Sequence, residues 1–277
     1  MTKKELLKNM ARIGAVAVIA LFAATSTSCK KDNDDDIKGN VMTITRSGAG
    51  NAFVQMSGDG TMSIDWGDGT AVQTHKLQSF DALAKYEHTY SDATVRTITI
   101  TGNVTWLNSP GKSIMSVDVS KNTVLEMFMC SNTQITNLDL SKNTALKVLS
   151  CDENQLTKLD VSKNTALYLL NCSGNQLTEL DVSKNTAMKQ LICHNNQLIN
   201  LDVSKNIELW ELSLHGNQFS AASLDTVFET LHSSTLYNPN RTEIGKVIYI
   251  RNNPGALTCD RSIATSKGWL VDTTFQR

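Results

Sequence analysis

Four cysteines are the first residues whose type and spacing suggest chemistry. Cys130, Cys151, Cys172 and Cys193 recur every 21 residues. Converging thiols bind soft metals or pair as disulfides. A strict 21-residue spacing instead places one thiol at the same position in each of four stacked coils. At a stacking distance of ~4.8 Å their Cβ vectors run parallel, which suits a disulfide poorly. Leu214 fills the same slot one unit later, so buried free thiols packing as small hydrophobes are expected. Asp118, Asp139, Asp160, Asp181 and Asp202 form a second row, a carboxylate ladder of the kind that can hold calcium. The glycine-rich nonapeptides of calcium-binding rolls are absent. Lys121, Lys142, Lys163, Lys184 and Lys205 each follow three residues later, so a mixed charge staircase and no metal are expected. His75, His88, His194, His215 and His232 are scattered, and G-x-S-x-G, H-E-x-x-H and phosphate-loop motifs are missing. No catalytic constellation emerges, no cofactor is expected, and the chain reads as non-enzymatic.

The elements that carry these residues come from an internal repeat. Residues 138–145 read LDLSKNTA, 159–166 and 180–187 read LDVSKNTA, and 201–206 read LDVSKN. The other half of each unit is Leu146, Leu149, Cys151, Asn154 and Leu156, repeated through Leu209, Leu212, Leu214, Asn217 and Phe219. A weaker first copy carries Thr133 in place of the asparagine. The pattern L-x-x-L-x-L-x-x-N-x-L over residues 114–220 resembles the leucine-rich repeat, in a 21-residue form found in Bacteroidetes surface proteins. A strand of alternating apolar residues cannot bury its own inner side, so each coil must stack on the next. Residues 157–165 show no 3.6-residue period, so the far side of each coil is expected to be extended rather than helical.

The N-terminus has a different logic. Lys3, Lys4, Lys8 and Arg12 precede an apolar run over 13–24 and a small-residue stretch ending at Cys29. Twelve apolar residues are too few for a membrane span, which needs ~20, so residues 1–28 read as a signal peptide. Cys29 resembles the lipidation site of a bacterial lipoprotein. Residues 29–40, rich in Asp, read as an acidic tether and resemble the export tag of Bacteroidetes outer-membrane lipoproteins. That resemblance implies lipid anchoring in the outer membrane, facing the cell exterior. Removing residues 1–28 leaves 22 cations against 26 anions. Without a basic cluster, nucleic acid is not an expected partner.

Residues 41–107 alternate apolar and polar side chains in short runs, as an antiparallel β-sandwich does. Trp66-Gly67-Asp68-Gly69-Thr70 with His88-Thr89-Tyr90 resembles the PKD domain, a surface spacer or binding module. Trp66 is expected in the core, Asp68 in the turn, and His88 in a structural role. Past the repeats, residues 221–277 read as a last coil and cap. Ser223 to His232 forms a short amphipathic helix with Ser223 as its N-cap, and Asp260 to Lys267 forms a second. Trp269 and Val271 cover the open end. The fold class is therefore mainly β: a leucine-rich-repeat solenoid, preceded by a small PKD-like sandwich and closed by short C-terminal capping helices.

Repeat proteins bind through the strand-bearing face. Its outward positions are Met127, Met129, Val148, Ser150, Leu169, Asn171, Gln190, Ile192, His194 and His215, with Trp210 beside them. Several are apolar where water is expected, which suggests a partner site. The favoured reading is adhesion to a host or envelope protein. A glycan-binding companion of a polysaccharide uptake system is the alternative, disfavoured because Trp210 alone offers an aromatic platform. A structural envelope spacer is the third.

Overall fold

The computed structural model describes residues 40–80, 84–238 and 242–274. The expected signal peptide, Cys29 and the acidic tether lie outside the described residues. Strands β1 (Val41–Arg46), β2 (Gly50–Asp65), β3 (Gln73–Lys76), β4 (Ala84–Tyr90), β5 (Arg96–Asn108) and β6 (Ile114–Asp118) form the N-terminal part. Five three-residue strands follow: β7 (Met127–Met129), β8 (Val148–Ser150), β9 (Leu169–Asn171), β10 (Gln190–Ile192) and β11 (Glu211–Ser213). They pair in parallel with an offset of 21 residues. The chain is a β-solenoid of leucine-rich-repeat type.

Stacking explains the repeat. Phe128, Leu149, Leu170, Leu191 and Leu212 point inward and are fully buried, as are the four cysteines. The thiols are free, and burial raises the pKa of each, that of Cys172 to about 12. After each strand the backbone turns through a left-handed residue: Asn132, Glu153, Gly174, Asn195, Gly216 and Asn252 all have positive φ. An inward polar residue follows immediately, Thr133 in the first coil and an asparagine in the others. Asn175 Nδ2 donates to the carbonyls of Cys151 and Cys172 at 3.0 Å, and its Oδ1 accepts from the Leu156 N–H at 2.9 Å. Buried carbonyls that no strand neighbour reaches are thereby satisfied.

The far side differs from the extended path expected. In the regular coils it is not helical, as expected, but it ends in two successive turns: the Asn143 N–H donates to the Leu140 carbonyl and the Leu146 N–H to the Asn143 carbonyl, and the pattern recurs at Asn164, Asn185 and Asn206. These asparagines form a second buried row, each Nδ2 donating to two carbonyls of the preceding coil. The aspartates start the turns. In each, Oδ1 accepts the N–H of the serine two residues on, at 2.8–2.9 Å. That bond is the leading cause holding the carboxyls of Asp139, Asp160 and Asp181 below their usual range, and the neighbouring lysine contributes less. Among the described residues no lysine of the staircase forms an ion pair with these aspartates. The ladder is a row of turn-starting side chains more than a charge staircase, because the serine N–H lies closer than any lysine.

The N-terminal strands join the solenoid instead of standing apart. β5 pairs antiparallel with β1 and β2, and its last residues, Trp106 to Asn108, pair parallel with Met127 to Met129. One 13-stranded sheet results. β2 pairs with β4 through its first half and with β3 through its second, and its register to β5 shifts between them. At this corner Gly102 has φ +149°, and a Cβ there would fall 2.6 Å from that of Met62, so only glycine lets the strands approach. The turn after β2 is pinned from within. Trp66 is fully buried and stacks on His88 with centroids 5.1 Å apart. Asp68 accepts from the Thr70 N–H and hydroxyl and lies 2.6 Å from His88 Nε2, and the Tyr90 hydroxyl donates to the Trp66 carbonyl at 2.7 Å. The apolar core is continuous from Met42 to Trp269.

Helix α1 (Ala221–Thr230) replaces a return path, and its N-cap is Ser220, not Ser223. Ser223 occupies the third helical position, where it and Ser220 bond each other's backbone in a capping box. Short strands β12 (Leu236–Tyr237) and β13 (Glu243–Ile244) lead to β14 (Lys246–Tyr249), which stacks on β11. Helix α2 (Arg261–Ser266) starts at the N-cap Asp260, and Gly268 follows it with φ +77°. Trp269 is buried and Val271 packs against the core, both within a further strand, β15 (Trp269–Asp272), paired with β14. Lys267 Nζ donates to the carbonyls of Phe228 and Glu229, closing the C-terminal end of α1.

Candidate functional site

Register fixes which side chains share the outer face of the strands. Trp106, Met127, Val148, Leu169, Gln190, Glu211, Val247 and Leu270 align in one ladder. Asn108, Met129, Ser150, Asn171, Ile192, Ser213 and Tyr249 align in the next. Two residues further on, Ser131, Asp152, Ser173, His194, His215 and Arg251 continue the same spacing. The sequence-predicted residues therefore share one face, with Trp210 half-buried at its border. Cys29 lies outside the described residues.

Their exposure differs from expectation. Met127, Met129, Val148 and Leu169 are 0–6% exposed and form a small cluster with Trp106, against which Phe80 and Tyr168 pack. Ser150, Asn171, Gln190 and Ile192 are likewise buried. Side chains one coil apart shield one another, and the N-terminal part contributes Phe80 and Trp106, which no repeat pattern announces. The apolar half of the face is thus a second core, where charged replacements would test folding.

The polar groups along the face separate by position. Asp152 Oδ1 accepts from Ser131 Oγ, Ser150 Oγ and Asn171 Nδ2 at 2.6–3.0 Å, a satisfied hub. Farther along, Gln190 Nε2 donates to Glu211 Oε2 at 2.8 Å. His194 and His215 stack with centroids 4.1 Å apart, and His215 Nδ1 lies 3.1 Å from Ser213 Oγ. Here the face opens into a cleft of about 360 Å³ whose walls include Ile192, His194, Glu211, His215, Tyr249 and Arg251. Arg251 is half-buried, and its Nε is buried without a hydrogen-bond partner. Among the described residues no three His, Cys, Asp or Glu side chains converge as metal ligands do.

The sequence reading missed Tyr249 and Arg251. The coil pattern at Ile248, Ile250 and Asn253 was a usable signal. α1 stretches the spacing from Leu212 to Ile248 to 36 residues, which hid the outward positions from a 21-residue register.

No family model and no curated protein matches the chain. Among solved structures it is similar to a leucine-rich-repeat protein of Leptospira interrogans, with 19% identity and a TM-score of 0.45 over 56% of this chain and 38% of that one. It is similar to internalin C2 of Listeria monocytogenes, with 15% identity and a TM-score of 0.46 over 62% and 81%. It is also similar to the functional domain of InlJ from Listeria monocytogenes, described as including a cysteine ladder, with 24% identity and a TM-score of 0.25 over 60% and 49%. The chain spans about half of the InlJ domain and less than half of the Leptospira protein. These likenesses concern the repeat fold alone.

Proposed function

We propose that this chain is a non-enzymatic, cell-surface interaction module that binds another protein through the C-terminal half of its strand face. One observation carries the reading. Inward positions barely change from coil to coil, whereas the outward ladders run through Met127, Val148, Leu169, Gln190 and Glu211, and through Ser131, Asp152, Ser173, His194 and His215. Stacking demands the same residue at every structural position. At Met127, Val148 and Leu169 the change fits the second core; at the C-terminal end, where the face opens into the cleft, it marks positions that serve something other than the stack. The fold also sets these side chains on a rigid sheet at a fixed spacing, which limits the entropy lost on binding. Lipid anchoring through Cys29 at the outer membrane belongs to the same proposal, as does the PKD-like role of residues 41–107 as a spacer.

The test is a screen of the full chain against immobilised matrix proteins and glycans, beside a His194→Ala/His215→Ala variant. A protein ligand bound by the wild type and lost in a variant of unchanged melting temperature is expected. Glycan-only binding would transfer the face to the uptake-companion reading, and no binding at all would favour an envelope spacer. Palmitate labelling of the wild type but not of Cys29→Ala is the parallel check of the anchor.

A further inference from the structure

We infer that the cleft bearing Arg251 takes a carboxylate, supplied by an acidic side chain of the protein partner. The inference rests on the protein-binding reading of the same face and adds the chemistry of what it grips. Arg251 brings a full cation to the cleft, and its Nε is buried with no acceptor. Among the described residues its guanidinium has no ion-pair partner. Nε is closed to solvent and ligand alike, and the half-buried guanidinium offers the rest of its fork in surroundings drier than those of an exposed arginine, where a charge-assisted bond is stronger. The planar fork matches a carboxylate bidentately.

The surroundings narrow the class. Glu211 stands in the wall of the same cleft and repels a second negative charge, so a monoanion fits better than a phosphate dianion. His194 and His215 stack on each other, their planes within 17°. Each ring thus covers a face of the other, which narrows the aromatic surface open to a sugar ring. That favours an acidic peptide over an acidic glycan. The cleft also lies in a chain with excess negative charge, so long-range attraction does not deliver the ligand, and recognition is local to Arg251.

The experiment is a fluorescence-anisotropy titration of the full chain with labelled hexaglutamate, beside hexaglutamine and hexagalacturonate. Saturable binding of hexaglutamate alone is expected. It weakens about tenfold or more in Arg251→Gln and less in Arg251→Lys, which keeps charge but loses the fork. Both variants are half-buried surface changes, and a melting curve confirms their fold. Equal affinity in wild type and Arg251→Gln, absence of saturable binding, or preference for hexagalacturonate overturns the inference. Its failure is separable from that of the protein-binding reading. A partner lost in His194→Ala/His215→Ala but retained in Arg251→Gln rejects the carboxylate and leaves the face standing. Arg251-dependent hexaglutamate binding without any protein ligand does the reverse.

Discussion

The two asparagine rows look alike in sequence but carry different loads. Asn175 donates to carbonyls of two coils and also accepts the Leu156 N–H, whereas Asn164 donates to Leu140 and Asn143 and its buried Oδ1 has no partner. Replacement by leucine keeps the volume and removes the bonds. Asn175→Leu should cost about 3 kcal/mol and Asn164→Leu less, since each buried group left unmade costs ~1–3 kcal/mol. Urea midpoints measure both, and equal losses would contradict this division. Asp68 is a second single-residue test. Bonds from Thr70, then His88, hold its pKa at about 2 against an ordinary 3.8. A depressed carboxyl contributes stability that is complete above pH ~4 and drains as pH falls through about 2. Melting temperatures between pH 5 and 2 should therefore fall less steeply in Asp68→Asn than in the wild type; parallel slopes would remove Asp68 from the account.

At the scale of the coil, the left-handed corner sets a size rule between neighbours. Glu153 has φ +55°, a cost for a residue with a Cβ, and its side chain lies over Gly174. A Cβ on Gly174 would meet Glu153 Oε1 at 2.5 Å, besides adopting φ +63° itself. Gly174→Ala should lose about 1–2 kcal/mol, and Glu153→Gly should gain up to about 1 kcal/mol by relieving its own backbone. In the Glu153→Gly background, Gly174→Ala should cost less than it does alone. Additive losses in that thermal-melt cycle would mean the two corners do not touch. The cysteine slot is a coil-scale feature too. With Cys29 replaced by alanine, unreduced denatured protein should show five reactive thiols (Cys130, Cys151, Cys172, Cys193 and Cys259). The native protein should react slowly, since all five are buried. A denatured count of one would establish two disulfides.

For the whole molecule the consequence is cooperativity. Because β5 belongs to both the N-terminal strands and the parallel row, and the apolar core runs unbroken from Met42 to Trp269, neither part keeps its packing if the other unfolds. Fluorescence of buried Trp66 and Trp106 near one end and of Trp269 at the other should report the same transition in single-tryptophan variants. Two separated transitions would show that residues 41–107 fold as an independent unit.

The repeat made the solenoid legible in the sequence. A side chain that recurs every 21 residues must stack on its copies, so Leu149, Cys151 and Asn154 reveal strand, core and corner from the sequence alone. The serine two residues after each ladder aspartate was visible as well, but not which neighbour the carboxylate would choose, since that depends on the backbone path of the turn. Only the tertiary structure decided what covers the face and what opens in it. Phe80 and Trp106 reach Met127 because β5 extends the parallel row, and Arg251 joins His194 and His215 because α1 takes up an insertion without disturbing the stack. Periodicity encodes what each coil repeats; contacts made once, between distant segments, leave no period to read.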